Sequence, residues 1–300
     1  MRVAVVGLGR MGTGIAQRLE QADHQLSVWN RSPGPVKPFT ERGVCALEHP
    51  ADAWEHAELV ITMVTDDDAV QAVTLGEHGV LAAGDDDVSK AGGRGVLVDM
   101  STISARTSAA IAAHCDACRV SYLRAPVSGN PTVVAAGNLG IIVSGPRAEF
   151  ERVAGTLADI GPNLFYVGGA DESRIVKLAL NLMLGGTTQL LAEALVLGRK
   201  YGIDRAKLLE VISGSAIGSP YVSYKTDALL ADDYDSTFTA SQLHKDLGLA
   251  LEAGHDAGVP LALTAATQQL VEGCIAQGMG DLDLSALLPR LEREAGVHKD

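Results

Sequence analysis

The sequence predicts an α/β protein: an N-terminal half built on a mostly parallel sheet, an all-helical C-terminal half, and a long helix joining them. Three observations carry this. Apolar β-rich runs alternate with helical ones up to about residue 168, the order that a parallel sheet covered on both faces requires. Beyond Gly168 and Gly169 strand signals stop, and helix-period segments run on to the C-terminus. Between the two lies Asp171–Tyr201, about thirty residues without proline, rich in Ala and Leu and followed by Gly202.

In chain order, Arg2 to Val6 is a strand that ends in Gly7-Leu8-Gly9-Arg10-Met11-Gly12. A helix through Ile15 and Leu19 follows, then a second strand from Gln25 to Trp29. Strand, glycine turn, helix and strand in this order form the context in which GxGxxG binds a dinucleotide. Gly7 permits the tight turn, Gly9 lets backbone approach a pyrophosphate, and Gly12 lets helix and strand pack closely. The helix N-terminus then turns its free N–H groups towards the phosphates. An NAD site usually carries Asp or Glu at the end of the second strand. Here that place holds Asn30-Arg31-Ser32. A guanidinium and a hydroxyl can hold a 2′-phosphate that a carboxylate would repel, so NADP(H) is the predicted cofactor.

Glu58 to Val64 and Gly95 to Asp99 are the next strands, followed by Thr65-Asp66-Asp67-Asp68 and Met100-Ser101-Thr102. Ligands of such sheets lie beyond the carboxyl ends of the strands. Met63, Val64, Thr65 and Thr102 are therefore expected along the cofactor cleft. The triplets Asp66–Asp68 and Asp85–Asp87 read as helix-start charge and solvated loop, because adjacent carboxylates on one short loop rarely converge on an ion. No metal is predicted. Cys115-Asp-Ala-Cys118 closes the Ser104–Cys115 helix, whereas a redox dithiol normally opens one, and no second ligand pair is spaced for zinc. Strands at Val120–Leu123, Gly140–Ser144 and Leu164–Val167, with a helix over Ala148–Ile160, complete a first domain of residues 1–168. Residues 169–300 form the second.

The long helix, about 171–201, would span roughly 45 Å at 1.5 Å per residue. Its first half carries Lys177 and Asn181, four apart and so on one face. A lysine in an apolar helix either snorkels to water or is used. The totals narrow the partners: 300 residues, 47% apolar, 20% charged and a formal charge of -13 give a globular chain with no basic face for nucleic acid or anionic membrane. No stretch is read as long and apolar enough to cross a bilayer, and Met1–Gly7 is too short for a signal-peptide core, so the chain reads as cytoplasmic.

Five motifs in order resemble those of the β-hydroxyacid dehydrogenase family, which includes 3-hydroxyisobutyrate dehydrogenases, tartronate semialdehyde reductases and glyoxylate/succinic semialdehyde reductases. They are Gly7–Gly12, Asp99-Met-Ser-Thr102, Ala125-Pro-Val-Ser-Gly129, Lys177-Leu-Ala-Leu-Asn181, and Phe238 with Lys245-Asp246-Leu247. The resemblance implies a Rossmann-type N-terminal domain, a helical C-terminal domain and a homodimer or homotetramer formed through it. It implies Lys177 as catalytic acid/base, with Asn181 positioning substrate or lysine. It also implies Ser128 and Gly129, with Asn130 beside them, as substrate-binding residues, Thr102 near the nicotinamide, and Lys245 on the cofactor side. The implied substrate is a short hydroxyacid or semialdehyde. Two residues depart from the pattern: Arg124 stands where Asp is common, and Asn130 where a second Gly is common. Imine reductases, relatives of the family, typically lack the lysine, so Lys177 favours carbonyl and alcohol chemistry over imine reduction. The lysine motif at Lys177–Asn181 and the serine motif at Ala125–Gly129 also weigh against a nucleotide-binding protein without catalysis. An unperturbed lysine, at about 10.4, is a poor base near neutrality. Burial and a second cation, the oxidised nicotinamide or Lys245, would lower it.

Overall fold

The computed structural model describes residues 1–82 and 95–297; Asp85–Asp87 lie outside them. The chain divides into two compact units, Met1–Lys177 and Leu178–Asp300. In the first unit β1 (Arg2–Val6) leads through α1 (Arg10–Gln21) to β2 (Gln25–Trp29), α2 (Lys37–Thr40), β3 (Cys45–Ala46), α3 (Ala53–His56) and β4 (Leu59–Thr62). Then come α4 (Asp67–Leu75), β5 (Val96–Asp99), α5 (Ala105–Ala117), β6 (Ser121–Arg124), β7 (Val127–Ser128) and α6 (Pro131–Ala135). The unit closes with β8 (Gly140–Ser144), α7 (Arg147–Ile160), β9 (Asn163–Gly168) and the start of α8 (Glu172–Lys200).

Nine strands among the described residues form one sheet in the order β3-β2-β1-β4-β5-β6-β8-β7, with β9 paired to the far side of β8. The run from β3 to β6 is parallel, as is β8 with β9. Only β8 opposes β6 and β7. This is the predicted Rossmann-type α/β architecture. The predicted strands are all present. The two-residue strands β3 and β7 were not foreseen, being too short to show a period.

Alternation along β1 sends side chains to opposite faces. Val3 and Val5 join Ile15, Leu19 and Val143 in one apolar layer. Ala4 and Val6 join Trp54, Val60, Leu97 and Ile111 in the other. Both faces of the sheet are thus buried, which explains why its central strands are apolar throughout.

The second unit takes the rest of α8 and adds α9 (Arg205–Ser213), α10 (Pro220–Leu230), α11 (Ala240–Asp256), α12 (Ala262–Ala276) and α13 (Leu287–Glu294). Leu191, Leu195 and Val196 of α8 pack with Leu243, Leu247, Val271, Leu287 and Leu288. A buried ion pair, Lys225 Nζ to Asp283 Oδ1 at 2.7 Å, ties α10 to the turn before α13. One expectation is corrected here. By length and composition α8 is a helix that could cross a membrane, with a mean hydropathy of 1.3 over its most apolar window. The physical reason is that charge is sparse between Lys177 and Arg199, where only Glu193 stands, and that part of this apolar stretch is core: Leu191, Ala192, Leu195 and Val196 are buried in the helical unit.

Candidate active site

The glycine turn is built as its sequence requires. Gly7 has φ 100°, and a Cβ on it would meet the Met63 carbonyl at 2.4 Å. A Cβ on Gly12 would meet the Gly7 carbonyl at 1.9 Å. Gly9 differs. Its φ is an ordinary −65°, and a Cβ there would meet nothing within 4 Å. Protein packing therefore gives no reason for glycine at this position; the approach of a ligand to the backbone does.

Gly9 is also the N-cap of α1, which has neither a side-chain cap nor an acidic residue in its first turn. The neighbouring α4 shows the ordinary solution, with Asp66 accepting from the Ala69 N–H at 2.8 Å. Leaving α1 uncapped keeps its N–H groups and positive dipole end for an anion. The residues of this turn, Leu8, Arg10 and Met11 among them, thus fit a dinucleotide pyrophosphate.

Asn30, at the end of β2, faces inwards. Its Oδ1 accepts from the Leu8 N–H at 2.9 Å, and its Nδ2 donates to the Ser32 carbonyl and hydroxyl at 2.9 and 3.1 Å. Asn30 thus fixes the glycine turn against the segment expected to hold the ribose. Arg31 is exposed and lines a cleft of about 680 Å³ with Trp29, Gly34 and Lys37. Two cations, Arg31 and Lys37, and one carboxylate, Glu48, line it, and Lys37 Nζ also lies 3.8 Å from Glu41 Oε1. Lys37 is a cleft residue that sequence reasoning missed; its signal is a cation seven residues beyond Asn30 in a proline- and glycine-rich loop.

Across the sheet, the Val64 N–H donates to Ser101 Oγ at 3.0 Å, which joins the loops after β4 and β5. Met63 and Val64 are half-buried, Thr65 is exposed and Thr102 half-buried beside the buried Ser101. Lys177 is half-buried in the second turn of α8, and that helix start is bonded back to the loop after β5 through Arg174 and the Ser101 carbonyl.

Ser128 is exposed on β7, and Gly129 follows at φ 144°. A Cβ on Gly129 would meet Leu139 Cδ1 at 2.8 Å, so the backbone and packing both demand glycine there. Asn130 caps α6: its Oδ1 accepts from the Val133 N–H at 3.0 Å, with Pro131 in the first turn. Asn-Pro before a helix is a capping signal legible in sequence. Arg124 does not stand free beside Ser128. It is buried, pairs with Asp171 Oδ1 at 2.9 Å, and stacks over the Tyr122 ring.

In the helical unit Asn181 is buried, and its Nδ2 donates to Asp246 Oδ2 at 2.6 Å. Lys245 Nζ lies 2.8 Å from the other oxygen of the same carboxylate. The structure thus brings Asn181 and Lys245 to one carboxylate. Asp246 is the group that sequence reasoning left without a role. Its hold on Nδ2 fixes which way the Asn181 amide faces. Among the described residues no cluster of three or more His, Cys, Asp or Glu side chains could hold a metal.

Comparisons with known proteins point to one family. Residues 2–168 match the family described as the NAD binding domain of 6-phosphogluconate dehydrogenase. Residues 172–291 match the NAD-binding family of NADP-dependent 3-hydroxyisobutyrate dehydrogenase. The chain is 33% identical to 2-(hydroxymethyl)glutarate dehydrogenase of Eubacterium barkeri, over 99% of this chain and 97% of that one. It is 31% identical to 3-sulfolactaldehyde reductase of Escherichia coli, over 98% and 97%. Among solved structures, Mycobacterium tuberculosis 3-hydroxyisobutyrate dehydrogenase with L-serine superposes with a TM-score of 0.84 at 26% identity, covering 97% of this chain and 99% of that one. An imine reductase from Pseudomonas sp. shares the fold, with a TM-score of 0.63 at 24% identity over 96% and 98%. The chain belongs to the β-hydroxyacid dehydrogenase family, oxidoreductases that use a nicotinamide cofactor and act on CH–OH groups.

Proposed function

We propose that this chain is an NADP(H)-dependent dehydrogenase that interconverts a small β-hydroxyacid and its aldehyde or ketone, with Lys177 as general acid/base. One observation carries the reading: Lys177 sits half-buried in the helix whose first turn is bonded to the end of β5 and the loop beyond it, and through Ser101 to the loop beyond β4. There a lysine serves a reacting group better than it serves packing. The nicotinamide, when bound, supplies or accepts the hydride. Lys177 donates a proton to the carbonyl oxygen in reduction and takes it from the hydroxyl in oxidation. Asn181, one turn further along the helix, positions the substrate or the amine. Ser128 through its hydroxyl and Gly129 through its N–H hold the substrate carboxylate, with Asn130 shaping that turn. The glycine turn and α1 N-terminus receive the pyrophosphate; Thr102 lies near the nicotinamide and Lys245 serves on the cofactor side. Arg31, Ser32 and Lys37 receive the 2′-phosphate, and the charge balance of their cleft supports NADP(H) over NAD(H). Residues 1–168 serve as the cofactor domain and 169–300 as the substrate and oligomerisation domain, in a cytoplasmic homodimer or homotetramer.

The experiment is an oxidation screen with NADPH and NADH over small aldehydes, ketoacids and cyclic imines, run on the natural chain and on Lys177→Ala. Turnover should be better with NADPH, and the variant should lose at least about a hundredfold in kcat. Better turnover with NADH overturns the cofactor assignment. A Lys177→Ala protein that keeps most of its kcat overturns the acid/base role.

A further inference from the structure

The start of α8 carries a buried polar network that helix formation does not require. Arg174 is 1% exposed. Its guanidinium donates to Asp99 Oδ2 at 2.5 Å, to the Ser101 carbonyl at 2.6 Å, to the Tyr122 hydroxyl at 3.0 Å and, weakly, to the Ser108 hydroxyl at 3.5 Å. The other oxygen of Asp99 accepts from the Thr62 hydroxyl at 2.7 Å and the Ser101 N–H at 3.1 Å. Ser101 Oγ in turn accepts from the Val64 N–H. One side chain on α8 is thereby bonded to the loop after β5 and, through Asp99 and Ser101, to the loop after β4. Asp171, three residues earlier, pairs with Arg124 at the end of β6 and accepts from the Ser108 hydroxyl at 2.6 Å.

Burying such a pair gains little stability, because desolvation offsets most of the attraction and an apolar replacement is often as stable. What the network gives is a single geometry. Burial works against the Arg174 charge, yet Tyr122 and Asp99 together more than offset it, so the guanidinium stays protonated. Its four acceptors are reached from three guanidinium nitrogens, which a planar fork provides and an ammonium does not. Lys177 follows three residues later, on the same side of the helix.

We propose that Arg174, held by Asp99, is a positioning residue for Lys177: it fixes the rotation and axial place of α8 against the loops after β4 and β5. The inference rests on the reading of Lys177 as acid/base. Its loss should act through that amine and leave cofactor affinity alone. A displacement of about 1 Å at a reacting group is enough to cost on the order of a hundredfold in rate.

The test is a double-mutant cycle of Arg174→Lys and Lys177→Ala, with NADPH affinity measured by fluorescence titration. The accessibility of Lys177 is read by competitive acetylation and mass spectrometry across pH. Arg174→Lys keeps the charge and loses the fork. It should lower kcat about a hundredfold, leave the NADPH Kd within about threefold, and shift the pH profile of Lys177 acetylation. In the Lys177→Ala background it should cost no further activity, because the two act as a unit. A full additional loss there, or an unchanged acetylation profile, overturns the proposal. If Arg174→Lys fails to fold, Tyr122→Phe removes one of the four acceptors and keeps both charges, and the same readouts apply. Were Lys177→Ala itself to retain turnover, the acid/base reading fails instead. If Lys177→Ala is inactive while Arg174→Lys keeps full kcat, the positioning proposal fails alone.

Discussion

Glycines in one turn answer to different forces, and Gly9 and Gly12 separate them. A methyl on Gly12 collides with the Gly7 carbonyl at 1.9 Å, and backbone cannot move aside cheaply. Gly12→Ala should therefore lower the thermal midpoint, with an overpacking cost of about 1–3 kcal/mol. A methyl on Gly9 projects into open space with an unstrained φ. Gly9→Ala should keep its midpoint without ligand and lose about tenfold or more in NADPH affinity, roughly 1.4 kcal/mol. Thermal shifts with and without NADPH separate the two; a Gly9→Ala protein with unchanged affinity would remove the pyrophosphate from this turn. The same contrast shows what a sequence discloses. Gly7, Gly9, Gly12 and Lys177 were legible because they stand in short motifs whose geometry is local. Arg174 and Asp246 were not, because their partners lie 75 and 65 residues away and only the fold brings them close. Arg124 shows the same limit: in sequence it is only a departure next to Ala125-Pro-Val-Ser-Gly129, whereas in space it pairs with Asp171, 47 residues away.

At the scale of elements, α8 begins with an arrangement that makes stability depend on pH. The Glu172 carboxylate folds back over Gly168 and accepts from the Ala170 N–H at 2.7 Å. Its own N–H, then those of Ala170 and Gly169, hold it below its ordinary value of 4.5. A carboxylate depressed in the folded state stabilises fully above its unfolded value, and that contribution disappears as pH falls through the folded one. Glu172→Gln should thus lower the midpoint by a constant amount at pH 6–8, and the gap should close on acidification below about 4.5. A gap that persists at pH 3 would show that packing over Gly168, and not charge, is what matters. The element boundaries in the sheet were legible to within a residue or two, since the central strands are apolar on both faces. Strands β3 and β7 were not, because two residues carry no period. The bilayer-length character of α8 was also missed. The helix reads as apolar almost all round, yet burial against Leu243 and Leu247 accounts for only part of that surface.

The remainder of that surface bears on the whole molecule. Met183, Leu190 and Leu197 recur at seven-residue intervals on α8 and are 65%, 56% and 63% exposed; Tyr201, one turn on, is 81% exposed. Seven residues are nearly two helical turns, so these side chains form one stripe on the helical unit. Single exposed apolar residues need no explanation, but a continuous stripe marks a surface that associates. A second copy of the chain presenting the same stripe would cover it symmetrically, as two-fold homodimers do. This agrees with the homodimer proposed above. Leu190 stands at its centre, so Leu190→Asp would place two carboxylates in the covered face of such a dimer. The natural chain should elute and sediment at twice its chain mass or a higher even multiple. The variant should dissociate to the single chain at micromolar concentration and lose several degrees of thermal midpoint. Its isolated fold should survive, because Leu190 faces away from the core that Leu191 and Leu195 enter. A natural chain that sediments as a single chain at every concentration would leave the stripe without its second copy and the proposed dimer without support.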